Sequence, residues 1–322
     1  MEKNQTFIIT GTNDKLWNFQ ELTTYLASNQ HRRISLKINP EAISLEILGV
    51  YQLLDNFEFE QVDIHTENQL ESHDKYNIIV NPNNRWLSHQ PVIPLELHTW
   101  TGDKTFLIFF HRPTASRLGL GSYLFNHYQD QSTIHFSYNT SIDRLQLYEF
   151  DKLALLRMES IGEVAAMLPH MPILAYEQND VTVIENRGWY DYSIDVGITI
   201  YQHIFVDIIS ETHVAGKTFY PTEKTARPMW LKKPFIMFAS NDYLCYLRQM
   251  GFKTFNDFWS EDYDGYEGKD RYIKILSLID DLSKQPKKKL EEMYWDMQYV
   301  LDHNYTLLNT QSYNKNITLL KD

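Results

Sequence analysis

The sequence has a single cysteine, Cys245, among its 322 residues. One thiol excludes a disulfide framework and a multi-cysteine zinc site, and it is typical of a reducing compartment. No apolar stretch reaches the roughly 20 residues that a membrane span needs, because polar residues interrupt the most apolar window, 194–209. The first residues also lack the apolar core of a signal peptide. We therefore expect a cytoplasmic protein without a membrane partner.

Basic residues are outnumbered, since 30 Lys and Arg stand against 42 Asp and Glu and give a net charge of −12. A chain this acidic lacks the overall charge of a dedicated nucleic-acid-binding protein, although a local basic groove is compatible with it. Hydrophobic residues are 43% and charged residues 22%, as in soluble globular proteins. The length suits two domains of about 150 residues each.

Several motifs of cofactor and nucleophile chemistry are absent or incomplete. Ala215-Gly216-Lys217-Thr218 ends like a Walker phosphate loop, but Glu211 stands where the first glycine is required. Gly119-Leu120-Gly121 has Leu124 in place of the third glycine of a dinucleotide fingerprint, which favours packing of small residues inside a helix. No Gly-x-Ser-x-Gly elbow occurs, and the histidines show no metal-ligand spacing. We therefore expect neither a metal nor a cofactor.

Short apolar runs alternate with helical patterns along the chain. Strands are predicted at 7–10, 34–38, 61–65, 78–80, 105–110, 181–184, 205–209 and 235–238. Helices are predicted at about 15–27, 40–54, 114–126, 242–250, 269–283 and 287–300. Such alternation predicts an α/β fold with parallel sheets, here two Rossmann-like domains facing across a cleft. Pro169 and Pro172 interrupt helix formation, so we place the boundary between domains 1–168 and 169–322 there.

The densest cluster of polar residues, 210–227, directly follows the predicted strand 205–209. Thr222 is a good helix N-cap, and Glu223 would lie in the first turn, where two sugar hydroxyls could donate to it. Free backbone N–H groups at such a helix start attract phosphate, and Lys224 and Arg227 would add positive charge. This pattern predicts a nucleotide-sugar site at the carboxyl end of a strand. The alternative is a surface helix with an internal Glu223–Arg227 ion pair.

Three pieces of this cluster, Thr222-Glu223-Lys224, Arg227-Pro228 and Lys233-Pro234-Phe235-Ile236, resemble a known family. They are similar to the C-terminal donor segment of fucosyltransferase-like glycosyltransferases of the two-Rossmann (GT-B) type. The stretch 243–255 and the acidic segment 257–266 also resemble glycosyltransferases of tailed phages. The resemblance covers about residues 205–280. It implies an acceptor-side domain at 1–168, a nucleotide-sugar-binding domain at 169–322, and transfer that needs no metal.

The resemblance implies roles for individual residues of the C-terminal domain. Glu223 would contact the ribose or sugar of the donor, and Lys224 its diphosphate. A further phosphate-binding arginine is expected, and Arg227 or Arg187 could supply it. The segment Asp262-Tyr263-Asp264 matches the Asp-x-Asp form of metal-dependent glycosyltransferases, but we interpret it as a solvated turn.

Direct displacement at the donor sugar needs a general base to take the proton of the acceptor. Four residues at strand ends or loops of the N-terminal domain are candidates: Asp14, Glu96, His98 and His111. His111 directly follows the predicted strand 105–110, and a histidine pKa suits a base near neutral pH. A structural histidine bonded to a backbone carbonyl is the alternative. Glu96 is kept because fucosyltransferase-like enzymes use a carboxylate of the N-terminal domain.

The sequence thus predicts a glycosyltransferase that moves a sugar from a nucleotide sugar to an acceptor hydroxyl. Arg112 and Arg117 could contact the donor phosphates or an anionic acceptor. The phage resemblance favours a hydroxymethylated base of double-stranded phage DNA as acceptor, modified in the host cytoplasm; a surface glycan or a small molecule stays open. A non-catalytic GT-B-like binding protein and a different α/β enzyme, such as a nucleotide-dependent hydrolase or epimerase, are the competing classes.

Overall fold

The computed structural model describes residues 6–12, 15–39, 43–81, 100–136, 147–175 and 200–309. The chain divides into two compact units. Unit 1 contains residues 1–85 together with two later segments, 212–220 and 239–243. Unit 2 contains residues 86–211, 221–238 and 244–322. Each unit holds one largely parallel sheet with helices, which confirms the predicted α/β class and is compatible with a two-domain Rossmann-like fold.

The strands of unit 1 are β1 (Thr6–Thr12), β2 (Lys15–Leu16), β3 (Arg33–Asn39), β4 (Gln61–Thr66) and β5 (Asn77–Val80). Its helices are α1 (Phe19–Ser28) and α2 (Val50–Leu54). The strand order is β2-β1-β3-β4-β5, with β2 antiparallel to β1 and the other strands parallel. Residues Leu36 and Ile64 of the sheet and Leu22 and Leu26 of α1 are fully buried in one core. The parallel strands are neighbours in chain order, so their order does not reverse anywhere in this sheet.

Unit 2 is built on β6 (Lys104–Phe110), β7 (Ser132–Phe136), β8 (Ile204–Ser210) and β9 (Phe235–Phe238). Three of its helices are α3 (Ala115–His127), α4 (Leu147–Leu156) and α5 (Met158–Met167). The others are α6 (Glu223–Trp230), α7 (Tyr243–Gln249), α8 (Gly268–Ser283), α9 (Lys287–Asp296) and α10 (Gln298–Asn309). No helix of the residues that the structure describes has the length and apolar character needed to cross a bilayer.

The sheet of unit 2 is parallel, with strand order β7-β6-β8-β9. From β6 the chain passes through α3 to β7 on one side, and from β8 it passes through α6 to β9 on the other side. Every residue of β8 is buried, as expected for a parallel strand covered on both faces. The strand order therefore reverses between β6 and β8, which is the place where open α/β sheets bind ligands.

The division into units differs from the predicted boundary between residues 168 and 169. Strands on both sides of that boundary, β6 and β7 before it and β8 and β9 after it, pair in one sheet. Pro169 lies in a short 3-10 turn, Leu168–His170, which follows α5 directly inside unit 2. The prolines thus end a helix and do not mark a linker between domains.

The structure also refines several predicted helices. The helix predicted at 40–54 is the short α2, which begins only after Gly49, a residue with a left-handed φ of 69°. The helix predicted at 287–300 is two helices, α9 and α10. Gly119 and Gly121 lie inside α3, where an added Cβ would come within 2.9 Å of Tyr272 Oη and 3.1 Å of Ile108 Cδ1, respectively. Packing of small residues, rather than dinucleotide binding, therefore explains these two glycines.

Candidate functional site

The candidate site lies in unit 2, at the carboxyl ends of β6 and β8. The pleat of β8 sends successive side chains to opposite faces of the sheet. Ser210 Oγ lies 3.0 Å from Ser116 Oγ of α3, whereas Asp207, three positions earlier, is bonded by Arg227 of α6. Helices α3 and α6 therefore lie on opposite faces, and both begin at this edge of the sheet.

Helix α6 begins at Glu223 with Thr222 as its N-cap, as predicted from the sequence. The hydroxyl of Thr222 accepts a hydrogen bond from the backbone N–H of Lys224 at 3.3 Å. The carboxylate of Glu211 accepts from Thr222 N at 3.1 Å, from Thr222 Oγ1 at 2.7 Å and from Thr225 Oγ1 at 2.6 Å. A negative charge of the protein thus already occupies the positive end of α6. This corrects the expectation that free N–H groups at this helix start attract phosphate.

Glu223 and Lys224 form an ion pair in the first turn of α6. Lys224 Nζ lies 2.7 Å from Glu223 Oε1 and 3.2 Å from Thr222 Oγ1. About a third of the Glu223 side chain (33%) and 19% of the Lys224 side chain are exposed. Burial raises the pKa of Glu223, but the neighbouring Lys224 ammonium outweighs it and the net pKa is lowered. Glu223 is therefore an ionised, solvent-reachable acceptor for ligand hydroxyls.

Arg227 pairs with a residue that the sequence analysis did not consider. Its Nη2 lies 3.1 Å from Oδ2 of the fully buried Asp207, and its Nε donates to the Tyr201 hydroxyl, which in turn donates to Asp207. Burial lowers the pKa of Arg227, but Tyr201 and Asp207 outweigh it, so the pKa is raised and the guanidinium is charged. The alternative of a surface helix with a Glu223–Arg227 ion pair is wrong. Because its guanidinium is engaged in the interior, we do not assign Arg227 to phosphate.

Arg117 has the opposite environment. Only 4% of it is exposed, yet it makes no ion pair in the described part of the chain. Its Nη2 donates to the carbonyls of Ser210 (3.1 Å) and Glu211 (3.4 Å), its Nη1 donates to that of Arg112 (3.4 Å), and its Nε has no partner among the described residues. Burial lowers the pKa of Arg117 to about 10. It is a buried cation without an ion-pair partner among the described residues, and the nearby carboxylates of Glu211 and Glu223 offset only part of the cost of its burial.

The first turn of α3 adds to this positive potential. Its N-cap, Thr114, has an extended backbone and makes no side-chain cap bond, and its first turn contains no acidic residue. Thr114 Oγ1 lies 3.2 Å from Ser116 Oγ. The exposed Arg112 precedes this turn. Because the N-terminus of a helix attracts anions, the start of α3, rather than that of α6, is the anion-favouring end at this edge.

The predicted catalytic residues are only partly described. Asp14, Glu96, His98 and the donor candidate Arg187 lie outside the described residues. His111 follows β6 as predicted and is exposed, and its pKa is lowered by partial burial and then by Arg112 and Arg117. A neutral imidazole can accept a proton. However, His111 belongs to unit 2, the same unit as Glu223 and Lys224, whereas the sequence analysis placed it in the other domain.

The acidic segment that matches Asp-x-Asp has a structural role. The buried Asp264 accepts hydrogen bonds from Leu244 N and Cys245 N, both at 3.0 Å, and lies 3.0 Å from Nη2 of the fully buried Arg271. Asp262 is exposed and pairs with Lys274. The interpretation as a solvated turn therefore holds for Asp262 but not for Asp264, which holds the start of α7 to α8.

Metal ligation is not visible among the side chains that the structure describes, where no three His, Cys, Asp or Glu residues are grouped to hold an ion. Comparison of the chain with known protein families, curated proteins and solved structures finds no match. Function is therefore inferred from the geometry. Sequence reasoning missed Ser116, Ser210 and the bonding role of Glu211; the only signal for Glu211 was its place directly after a buried strand.

Proposed function

We propose that the protein is a glycosyltransferase that uses a nucleotide sugar, and that unit 2 binds this donor at the carboxyl edge between β6 and β8. One observation carries the proposal. At the reversal of strand order, the buried Arg117 forms no ion pair among the described residues but interacts electrostatically with Glu211 and Glu223, and Glu223 pairs with Lys224. A buried cation, a partly exposed carboxylate and an ammonium group thus lie near one another where α/β sheets bind ligands.

The chemistry of these groups selects the class of ligand. Arg117, Lys224 and the start of α3 favour a diphosphate. The ionised Glu223 repels phosphate but accepts hydrogen bonds from adjacent hydroxyls. A ligand that satisfies both must carry negative phosphates and neutral hydroxyls side by side, as a nucleotide sugar does. The same cationic groups would stabilise the negative charge that develops on the diphosphate as it leaves.

The acceptor and the base complete the proposal. The two α/β units are compatible with a GT-B enzyme, in which one domain binds the donor and the other the acceptor. His111 is the described candidate for the base, with Glu96, Asp14 and His98 as the others. A hydroxymethylated base of double-stranded DNA is the first acceptor to test. If DNA is the acceptor, its affinity should fall steeply as salt is raised, because bound counterions are released.

The test is a thermal-shift panel of UDP-, GDP-, CMP- and dTDP-sugars with the corresponding free nucleotides. A ligand that binds only the folded state raises stability by about 2.7 kcal/mol at 100 times its Kd. We expect one nucleotide class to stand out. A panel that stays flat at millimolar ligand would contradict the proposal. Binding without any transfer or slow hydrolysis of the sugar would instead identify a non-catalytic binding protein.

Replacing Lys224 by alanine should weaken donor binding by about 1.5–3 kcal/mol, the range for hydrogen bonds to charged groups. This corresponds to a Kd increase of roughly 10- to 150-fold, measurable by isothermal titration calorimetry with the nucleotide sugar that the panel selects. The control is Lys288→Ala, which removes an exposed lysine of α9 in the same unit. Equal affinities of the Lys224 variant and the wild type would exclude Lys224 from the site.

A further inference from the structure

Immediately before the proposed donor residues, the chain contributes a short segment to the other unit. We call this segment, residues 212–220, the excursion. The chain leaves unit 2 after Glu211, contributes residues 212–220 to unit 1, and returns to unit 2 at Pro221. Helix α6, which carries Glu223 and Lys224, begins just after this return. Because the backbone is continuous, a displacement of the excursion would reach these two side chains unless the point of return is held in place.

The excursion is fastened within unit 1 through its backbone. The Asn68 side chain donates to the carbonyl of Lys217 at 2.8 Å and accepts from the N–H of Phe219 at 3.0 Å. The N–H of Gln69 donates to the carbonyl of Phe219 at 3.3 Å, and Ser240 Oγ donates to the carbonyl of Thr218. The segment 212–220 is therefore held by hydrogen bonds to residues of unit 1.

The two ends of the excursion are joined in unit 2 by one side chain. Glu211 is the last residue of unit 2 before the excursion, and only 2% of it is exposed. Its N–H group donates a hydrogen bond of 3.0 Å to the carbonyl of Phe238, the last residue of β9. Its carboxylate reaches the return point, where it accepts the bonds from Thr222 N, Thr222 Oγ1 and Thr225 Oγ1 described above. Glu211 thereby links the carboxyl end of β9 to the first turn of α6.

We propose that Glu211 is a positioning residue that closes the base of this excursion and fixes the first turn of α6 for donor binding. Glu223 and Lys224 are then held in unit 2, although the residues just before them, 212–220, belong to unit 1. Both carboxylate oxygens accept hydrogen bonds here, whereas a glutamine would keep one acceptor oxygen and place an NH2 group where the other oxygen stands. This inference rests on the proposed function.

The first test uses Glu211→Gln in the full chain, with Glu261→Gln as the matched control. Glu261 is also a buried glutamate of unit 2, where it accepts from Phe255 N at 2.7 Å and pairs with Arg248 at 3.2 Å. Hydrogen exchange followed by mass spectrometry should show protection in 221–230 lowered about tenfold in Glu211→Gln, the equivalent of one lost bond to a charged group. Protection of 235–238 and 268–283 should be retained. Unchanged protection of 221–230 would overturn the inference.

The second test separates positioning from a merely structural role. At temperatures where all variants are folded, Glu211→Gln should raise the Kd of the panel-selected UDP-, GDP-, CMP- or dTDP-sugar about tenfold or more, by the same lost bond. Glu261→Gln should leave this Kd unchanged even if it lowers Tm equally. Thr225→Val should weaken binding and Thr225→Ser should restore it, since serine keeps the hydroxyl. Wild-type affinity of Glu211→Gln would refute the positioning role.

The two proposals can fail separately. If the wild type binds none of the nucleotide sugars, the proposed function fails, and the exchange experiment alone decides whether Glu211 fixes α6. If the wild type binds one of them and Glu211→Gln binds it equally well, the proposed function stands and the role of Glu211 falls.

Discussion

Replacing Asp207 by alanine is expected to lower the free energy of unfolding by about 3–5 kcal/mol, the cost of breaking a buried ion pair by removing one partner. The fully buried Asp207 holds Arg227 Nη2 at 3.1 Å and accepts from the Tyr201 hydroxyl. Without the carboxylate, a charged guanidinium and a phenol would stay buried without their acceptor. Urea denaturation followed by circular dichroism measures the change.

An exposed ion pair provides the control for this substitution. Arg33 Nε lies 2.9 Å from Glu60 Oε1, and both side chains are about 60% exposed (61% and 59%). Glu60→Ala should change the free energy of unfolding only slightly, because solvent screens such a pair. Asp207→Asn, which keeps the shape but not the charge, should fall between the two. If Asp207→Ala behaved like Glu60→Ala, the buried pair would not contribute to stability as described.

Replacing Arg117 by methionine should lower donor affinity while leaving the free energy of unfolding nearly unchanged. Donor affinity should fall by about 1.5–3 kcal/mol, the range for bonds to a charged group, because the diphosphate loses its buried cation. The unliganded protein should keep most of its stability, because methionine fills the space and removes a buried charge that forms no ion pair among the described residues. Calorimetric titration with the nucleotide sugar and urea denaturation measure the two quantities.

We therefore expect Arg117 to contribute mainly to donor binding and Arg227 mainly to the stability of the fold. Arg117 lacks a carboxylate partner within the described residues, whereas Arg227 has one. A loss of stability in Arg117→Met as large as that in Asp207→Ala would show that Arg117 serves the fold. Unchanged donor affinity would remove it from the proposed site.

The local features of the site could be predicted from the sequence. The apolar run 205–209 is a strand, and Thr222 caps the helix that follows, because strand and cap signals depend on neighbouring residues. The partner of Arg227 could not be predicted. Asp207 is 20 positions away, and the contact depends on the pleat of β8 and on the face that α6 covers. That Arg117 is buried without an ion pair among the described residues is likewise a property of the folded core and leaves no local sequence signal.

The division into units also depends on contacts between distant parts of the chain, which the sequence does not reveal. Strands β6 and β8 pair directly, although β6 ends at Phe110 and β8 begins only at Ile204. Hydrophobic periodicity identifies each strand but does not state which strands are neighbours. The prolines at 169 and 172 were a valid local signal for the end of a helix, but a local signal does not reveal a sheet that continues beyond it.

The composition of unit 1 has a consequence for synthesis on the ribosome. Its five described strands are all encoded before residue 85, but the carbonyl and N–H groups that Asn68 binds belong to residues 217 and 219. Chains emerge from the N-terminus, and domains generally fold as they emerge. The first sheet is translated early, but its unit is complete only at residue 243, after all four described strands of the other sheet have been made. The N-terminal unit therefore stays incomplete while residues 86–243 are being made.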